Sequence, residues 1–155
     1  MKLVTYNNKF KNQIKTYQVE NIIFTGLPQN AIKISQKNKD YHPILLVNES
    51  NDIYTFFVLD YGDDKFKYTS NINSLLLRSF STNERFLRKG YAFSALSLLS
   101  KYVQTNYPNI QEIVLGVNKR NLAAQNLYKK AGFEKKAKTY IGKKGIQLIF
   151  SKSIL

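Results

Sequence analysis

NSLLLRSFSTNERFLRKGYAFSALSLL, residues 73 to 99, contains the turn from which the fold is read. Asn73 to Ser81 reads as a strand, and its unbroken Leu75-Leu76-Leu77 centre predicts burial on both faces. From Lys89 to Gln104 the apolar positions Ala92, Ala95, Leu96, Leu99, Tyr102 and Val103 recur at helical spacing, and the pattern stops before Tyr107-Pro108. Arg85, Arg88, Lys89 and Gly90 lie between strand and helix. The first N–H groups of a helix lack internal partners and carry partial positive charge, so a helix opening here suits a phosphate. Gly90 places no Cβ in the way, and Ala92 adds little bulk. Basic loops ahead of core helices are common, so this stretch decides nothing by itself.

Working outward, VNKRNLAAQNLYKKAGF at 117–133 supplies a second helix, Asn121 to Lys130. Asn121, Ala124 and Tyr128 share one face of it, with Asn121 suited to the N-cap and Gly132 to the stop. Glu112 to Val117 before it reads as a buried strand, and Phe133 to Tyr140 with Ile146 to Ser151 as a hairpin turning through Gly142-Lys143-Lys144-Gly145. Upstream, Lys2 to Tyr6 reads as a strand, and a weak helix carries Phe10, Ile14 and Tyr17 on one face. A second helix starts near Pro28, and Pro43 to Glu49 with Asp52 to Asp60 form a hairpin. This order predicts an α/β (α+β) domain in which a mixed sheet is covered by helices.

Composition bounds the rest. The chain has 155 residues, 43% of them hydrophobic, which fits one domain over 1–155. No apolar run approaches the roughly 20 residues that span a bilayer, and no signal-type opening is present, so a cytoplasmic protein without membrane partners is expected. Zero cysteines exclude disulfides, thiolate metal sites and cysteine nucleophiles. His42, before Pro43, reads as a loop residue, and one histidine makes a metal site a poor expectation. The formal charge of +14 is uneven, with ten Lys/Arg and seven Asp/Glu in residues 1–82 against fourteen and three in 83–155. The second half is therefore built to attract an anion.

Arg88-Lys89-Gly90-Tyr91-Ala92 resembles the Q/R-x-x-G-x-G/A pyrophosphate loop of the GCN5-related N-acetyltransferase (GNAT) superfamily. Asn121-x-x-Ala124-x-x-Leu127-Tyr128 with Gly132-Phe133 resembles its second signature, and Leu75 to Phe80 its central fourth strand. Leu87 stands where the family usually has Gln or Arg, and Ala92 replaces the commoner second glycine. The resemblance implies a mixed, mostly antiparallel sheet of about seven strands flanked by about four helices. It also implies transfer of an acetyl group from acetyl-coenzyme A to a primary amine by direct attack in a ternary complex, with no metal.

By the same resemblance, backbone amides of Arg88, Lys89, Gly90, Tyr91, Ala92 and Phe93 hold the pyrophosphate, and Phe80, Ser81 and Thr82 pair with the pantetheine arm. Asn121 touches that arm or the acyl end, Ala124 lies with it in the cofactor site, and Tyr128 reaches the sulfur as the acid, its unperturbed pKa of about 10 keeping it protonated. Lys119, Arg120 and Lys129 are candidates for the 3′-phosphate, and Glu84 is the candidate base. Asp60, Asp63 and Asp64 form an acidic patch near a strand end, open to an amine or merely a polar turn. The acceptor is a small-molecule or protein amine, and a homodimer is compatible with the sequence. Two other functions stay open: a coenzyme-A-binding protein without catalysis, and a basic nucleic-acid-binding module. The latter fits less well, because most aromatics sit in periodic core positions.

Overall fold

The computed structural model describes residues 1–154. Its strands are β1 (Lys2–Thr5), β2 (Tyr41–Val47), β3 (Ile53–Asp60), β4 (Ser74–Thr82), β5 (Glu112–Asn118), β6 (Glu134–Gly142) and β7 (Gly145–Ser153). Its α-helices are α1 (Lys11–Lys15), α2 (Pro28–Lys37), α3 (Tyr91–Asn106) and α4 (Leu122–Lys130). The strands form one seven-stranded sheet in the order β1-β2-β3-β4-β5-β7-β6. Every neighbouring pair is antiparallel except β4 and β5. This is the mixed, mostly antiparallel sheet with flanking helices that the resemblance implies.

Alternation along the strands sorts the core onto two faces. Ile44, Leu46, Phe57, Leu59, Leu75 and Leu77 pack with Ala95, Leu96, Leu99 and Val103 of α3 and with Tyr128 of α4. Leu45, Val47, Phe56 and Val58 point the other way, onto Phe10, Ile14, Tyr17, Ala31 and Ile32. The helices thus fall into two layers, α3 and α4 over one face, α1 and α2 over the other. The expected stripe of Phe10, Ile14 and Tyr17 is buried, although α1 is only five residues long and begins as a 3-10 turn at Asn8–Phe10.

Two segments differ from the sequence reading. His42 lies within β2 rather than in a loop, its Nδ1 2.6 Å from the Tyr107 hydroxyl and its Nε2 2.9 Å from the Lys39 carbonyl oxygen. Pro43 does not interrupt that strand. Its carbonyl accepts from Tyr6 N–H, so its missing N–H also faces β1, just past the last ladder pair Thr5↔Ile44. The second difference is a 3-10 turn at Asp63–Lys67, where buried Lys65 donates to the carbonyls of Ile72 (3.0 Å) and Ser74 (3.1 Å) and ties β3 to the start of β4.

Candidate active site

The one parallel pair in the sheet is also the shortest. β4 and β5 are in register only at Ser74↔Glu112, Leu75↔Ile113 and Leu76↔Val114, after which they part. A bulge in β4 accompanies the parting. Phe56 faces Ser81 and Val58 faces Arg78, so Ser79 and Phe80 both stand against Phe57, with Ser79 at φ 56°. Such a bulge bends its strand and adds twist. The backbone groups of β4 that face β5 beyond Leu76 consequently have no ladder partner, and a strand edge left unpaired is a template for an added strand.

A cleft of about 630 Å³ fills the gap, lined by β4 from Leu77 to Thr82, β5 from Gly116 to Asn118 and α4 from Asn121 to Ala124 with Leu127 and Tyr128. Leu87 and Ala92 close it toward α3, and residues of the segment between α1 and α2 close it on the other face of the sheet. Phe80, Ser81, Thr82, Ala92, Asn121, Ala124 and Tyr128 therefore converge from three separate parts of the chain. Arg88, Lys89, Gly90, Tyr91 and Phe93 do not line it, although Leu87 and Ala92 on either side of that stretch do. Glu84 is exposed on a 3-10 turn outside the lining, where its N–H donates to the Gln18 carbonyl (2.9 Å).

Gly90 is the N-cap of α3 with φ 83° and ψ 9°, a left-handed conformation that favours glycine, and a Cβ there would meet nothing within 4 Å. Arg88, two residues earlier, also has positive φ at 60°. A non-glycine residue held this way costs about 1–2 kcal/mol and marks a turn fixed by its surroundings. The first complete helical bond of α3 runs from Ser94 N–H to the Gly90 carbonyl (3.0 Å), and no acid occupies the first turn. The amides ahead of Ser94 have no intrahelical partner. The Tyr91 side chain turns to packing, stacked on Tyr54 at 3.9 Å with Phe86 edge-on, which pins the helix start to β3. Lys130 lies 4.6 Å over the Phe93 ring, so the end of α4 adjoins the start of α3.

Tyr128 is placed by backbone rules. Its carbonyl accepts from Phe133 N–H (2.9 Å), and Lys129 carbonyl from Gly132 N–H (3.0 Å), with Gly132 at φ 92°, which together form a Schellman stop. The ring lies among Phe80, Phe133 and Phe150 at 5.7 to 6.4 Å. It is 7% exposed, and burial raises its pKa well above that of an ordinary phenol. Among the described residues nothing hydrogen-bonds its hydroxyl, which leaves that proton for a ligand. Asn121 caps α4, its Oδ1 accepting from Ala124 N–H (3.2 Å).

The acidic patch is committed elsewhere. Asp60, 3% exposed, accepts from Gly62 N–H and from Arg78 (3.0 Å), and Asp64 accepts from Arg78 (2.8 Å), which holds its carboxyl below the usual carboxylate range. None of the three aspartates lines the cleft. The sequence reading missed the wall from Val19 to Thr25, together with Gly116, Lys144 and Gln147. Gly116 carried a signal, a glycine inside a β-branched strand. A Cβ there would strike the Gln147 amide oxygen and come within 2.6 Å of the Tyr68 ring. The other residues carried none, being apolar and polar positions without periodicity in a loop and scattered positions in a hairpin.

The acetyltransferase (GNAT) family profile matches residues 33–133, which spans all of β2 to α4. The chain belongs to the GNAT family. It is by family an N-acetyltransferase with acetyl-coenzyme A as acyl donor, the activity its two signatures imply. Among curated relatives, an uncharacterized N-acetyltransferase of Bacillus subtilis (strain 168), YbbJ, is 35% identical over 127 residues, covering 81% of this chain and 79% of its own. Among solved structures, the aminoglycoside acetyltransferase AAC(6')-Ib with paromomycin and acetyl-CoA aligns at TM-score 0.77 and 15% identity, over 98% of this chain and 92% of that one. A Vibrio cholerae spermidine N-acetyltransferase chimera aligns at 0.75 and 12%, over 99% and 95%. The ribosomal-protein-S18-alanine N-acetyltransferase of Escherichia coli aligns at 0.69 and 15%, over 99% and 93%. Among the described residues no helix is long and apolar enough to cross a membrane, and no cluster of His, Cys, Asp or Glu could hold a metal ion.

Proposed function

We propose that residues 1–155 act as one domain that holds acetyl-coenzyme A and a primary amine together in the cleft between β4 and β5 and transfers the acetyl group directly. The donor supplies a thioester. A C–N bond forms as the C–S bond breaks, one proton leaves the nitrogen and one joins the sulfur. In this reading the amides from Arg88 to Phe93 receive the pyrophosphate, with open Gly90 allowing close approach. The free edge of β4 at Phe80 to Thr82 takes the pantetheine amides as an added strand, and an N–H at that edge steadies the developing oxyanion. Asn121 and Ala124 flank the arm from α4, and Tyr128 protonates the leaving sulfur.

Glu84 keeps no part in this scheme. It lies outside the lining, and the one carboxylate among the described residues that does line the cleft, Glu20, pairs with Arg88 at 3.0 Å. The amine accordingly enters already neutral, and the pH dependence of the rate follows the acceptor's own pKa. Aminoglycoside, spermidine and ribosomal-protein acceptors appear among structures of this fold, so the fold leaves the acceptor open between a small molecule and a protein. The absence of cysteine suits the reducing cytoplasm.

One observation carries the reading: the parted strands put an unpaired β4 edge, the open start of α3 and an unpartnered phenol around the same space. The test is equilibrium titration with coenzyme A, followed by free-thiol release from acetyl-CoA over a panel of primary amines. Saturable binding and amine-dependent thiol release are expected. A protein with no affinity for coenzyme A would remove the proposal.

A further inference from the structure

α3 and α4 cover one face of the sheet and α1 and α2 the other, so a donor lying along α3 and α4 leaves the α1–α2 segment and the β6–β7 turn to the acceptor. The charged groups on that side are few. Arg78 is satisfied by Asp60 and Asp64, and Glu20 by Arg88. Two cations in the cleft wall, Arg120 and Lys144, form no salt bridge among the described residues. Each instead leans on a neutral group of the acceptor-side segment. The Lys144 ammonium donates to the Ile23 carbonyl (3.0 Å), and the Arg120 guanidinium lies 5.9 Å over the Phe24 ring. One side chain clips the pair together, since Asn118 donates from Nδ2 to the Lys144 carbonyl (3.1 Å) and accepts at Oδ1 from Arg120 N–H (2.9 Å) and Nε–H (3.4 Å).

From this arrangement, and resting on the acetyltransferase reading above, we infer that the acceptor is a primary amine that also carries an anionic group, a carboxylate or a phosphate, which Arg120 and Lys144 receive. A carboxylate or phosphate exchanges the weak partners of these two cations for charge-assisted hydrogen bonds. A polyamine or aminoglycoside finds the opposite. Among the described lining residues the only carboxylate, Glu20, already pairs with Arg88, and the net charge of +14 repels a polycation on approach.

The experiment is a competition. Wild-type protein and acetyl-CoA are incubated with equimolar β-alanine and β-alaninamide, with O-phosphoethanolamine and ethanolamine, and with spermidine, and the acetylated products are counted by mass spectrometry per neutral amine. The anionic member of a pair is expected to be favoured about tenfold or more, the size of one hydrogen-bonded charge contact. The two pairs separate carboxylate from phosphate. Lys144→Gln and Arg120→Gln should each bring the ratio toward one, whereas Lys143→Gln, which removes an exposed charge one residue away, should leave it. Equal or greater use of the neutral amines or of spermidine overturns the inference while the acetyltransferase stands. A preference that falls equally in Lys143→Gln also overturns it, because bulk charge then explains the effect. If no amine is acetylated the inference fails too, and coenzyme A titration of the same sample reports separately on the donor site.

Discussion

The two walls of the cleft are built by different physics. On the side proposed for the donor, position follows from the backbone: a bulge parts β4 from β5, Gly90 opens α3 in the left-handed region, and a Schellman stop fixes Tyr128. On the side inferred for the acceptor, position follows from side chains that meet across long stretches of chain, such as Glu20 with Arg88, 68 residues apart, and Lys144 with Ile23, 121 apart. A wall of the first kind tolerates surface substitution yet fails when one glycine or one phenol changes. A wall of the second kind can be altered piecemeal, which allows one fold to serve many acceptors.

The sharpest way to break this contrast is at Tyr128. Replacing Tyr128 with Phe should lower kcat about 100-fold, the lower range for a positioned acid, while coenzyme A affinity changes less than about threefold. Stopped-flow thiol release and calorimetry check both halves. Unchanged kcat would remove Tyr128 from the chemistry and leave the donor wall as a binding surface only.

Next in size is Gly90→Val. A β-branched residue at φ 83° is strained, and its side chain would occupy the open space over the helix start. Coenzyme A affinity should fall about tenfold or more, with a helix content by circular dichroism like that of the wild type. The ratio of rates between two acceptors should not move, because that ratio belongs to the other wall.

Alkaline pH probes both sides of the sheet. Burial raises the pKa of Tyr17, whose hydroxyl donates to the Ser81 carbonyl (2.9 Å), and likewise that of Tyr128. A group whose folded pKa is raised contributes stability that is complete below its unfolded value, about 10, and is lost as pH climbs through the folded value. The urea midpoint should therefore decline above about pH 10, and the decline should be shallower in Tyr17→Phe.

The smallest effect is expected at Glu20. Its pair with Arg88 joins side chains that are 53% and 75% exposed, so Glu20→Gln should leave the melting temperature nearly unchanged. Coenzyme A should bind up to a few-fold tighter, because Arg88 is freed toward a phosphate.

Legibility in the sequence follows the same division. The local features of the wall proposed for the donor could be read because their requirements are local: a glycine before an apolar period, an Asn cap, and a glycine two residues past the helix end. The unbroken Leu75-Leu76-Leu77 run likewise disclosed the strand that the cleft opens beside. The bulge at Ser79 could not be read, since it depends on the register with β3, nor could the commitment of Asp60 and Asp64 to Arg78, fourteen to eighteen residues on. His42 reads as a loop residue because a Pro follows it, while in the fold it lies in β2 and the missing N–H of Pro43 faces past the end of β1. The acceptor wall lay outside local rules altogether.

Amide hydrogen exchange with and without coenzyme A tests the central claim most directly. The account predicts new protection at the start of α3 and along Leu77 to Thr82 of β4, with the amides of the β6–β7 turn unchanged. Protection that appears at the turn while the start of α3 and the end of β4 exchange as before would contradict it.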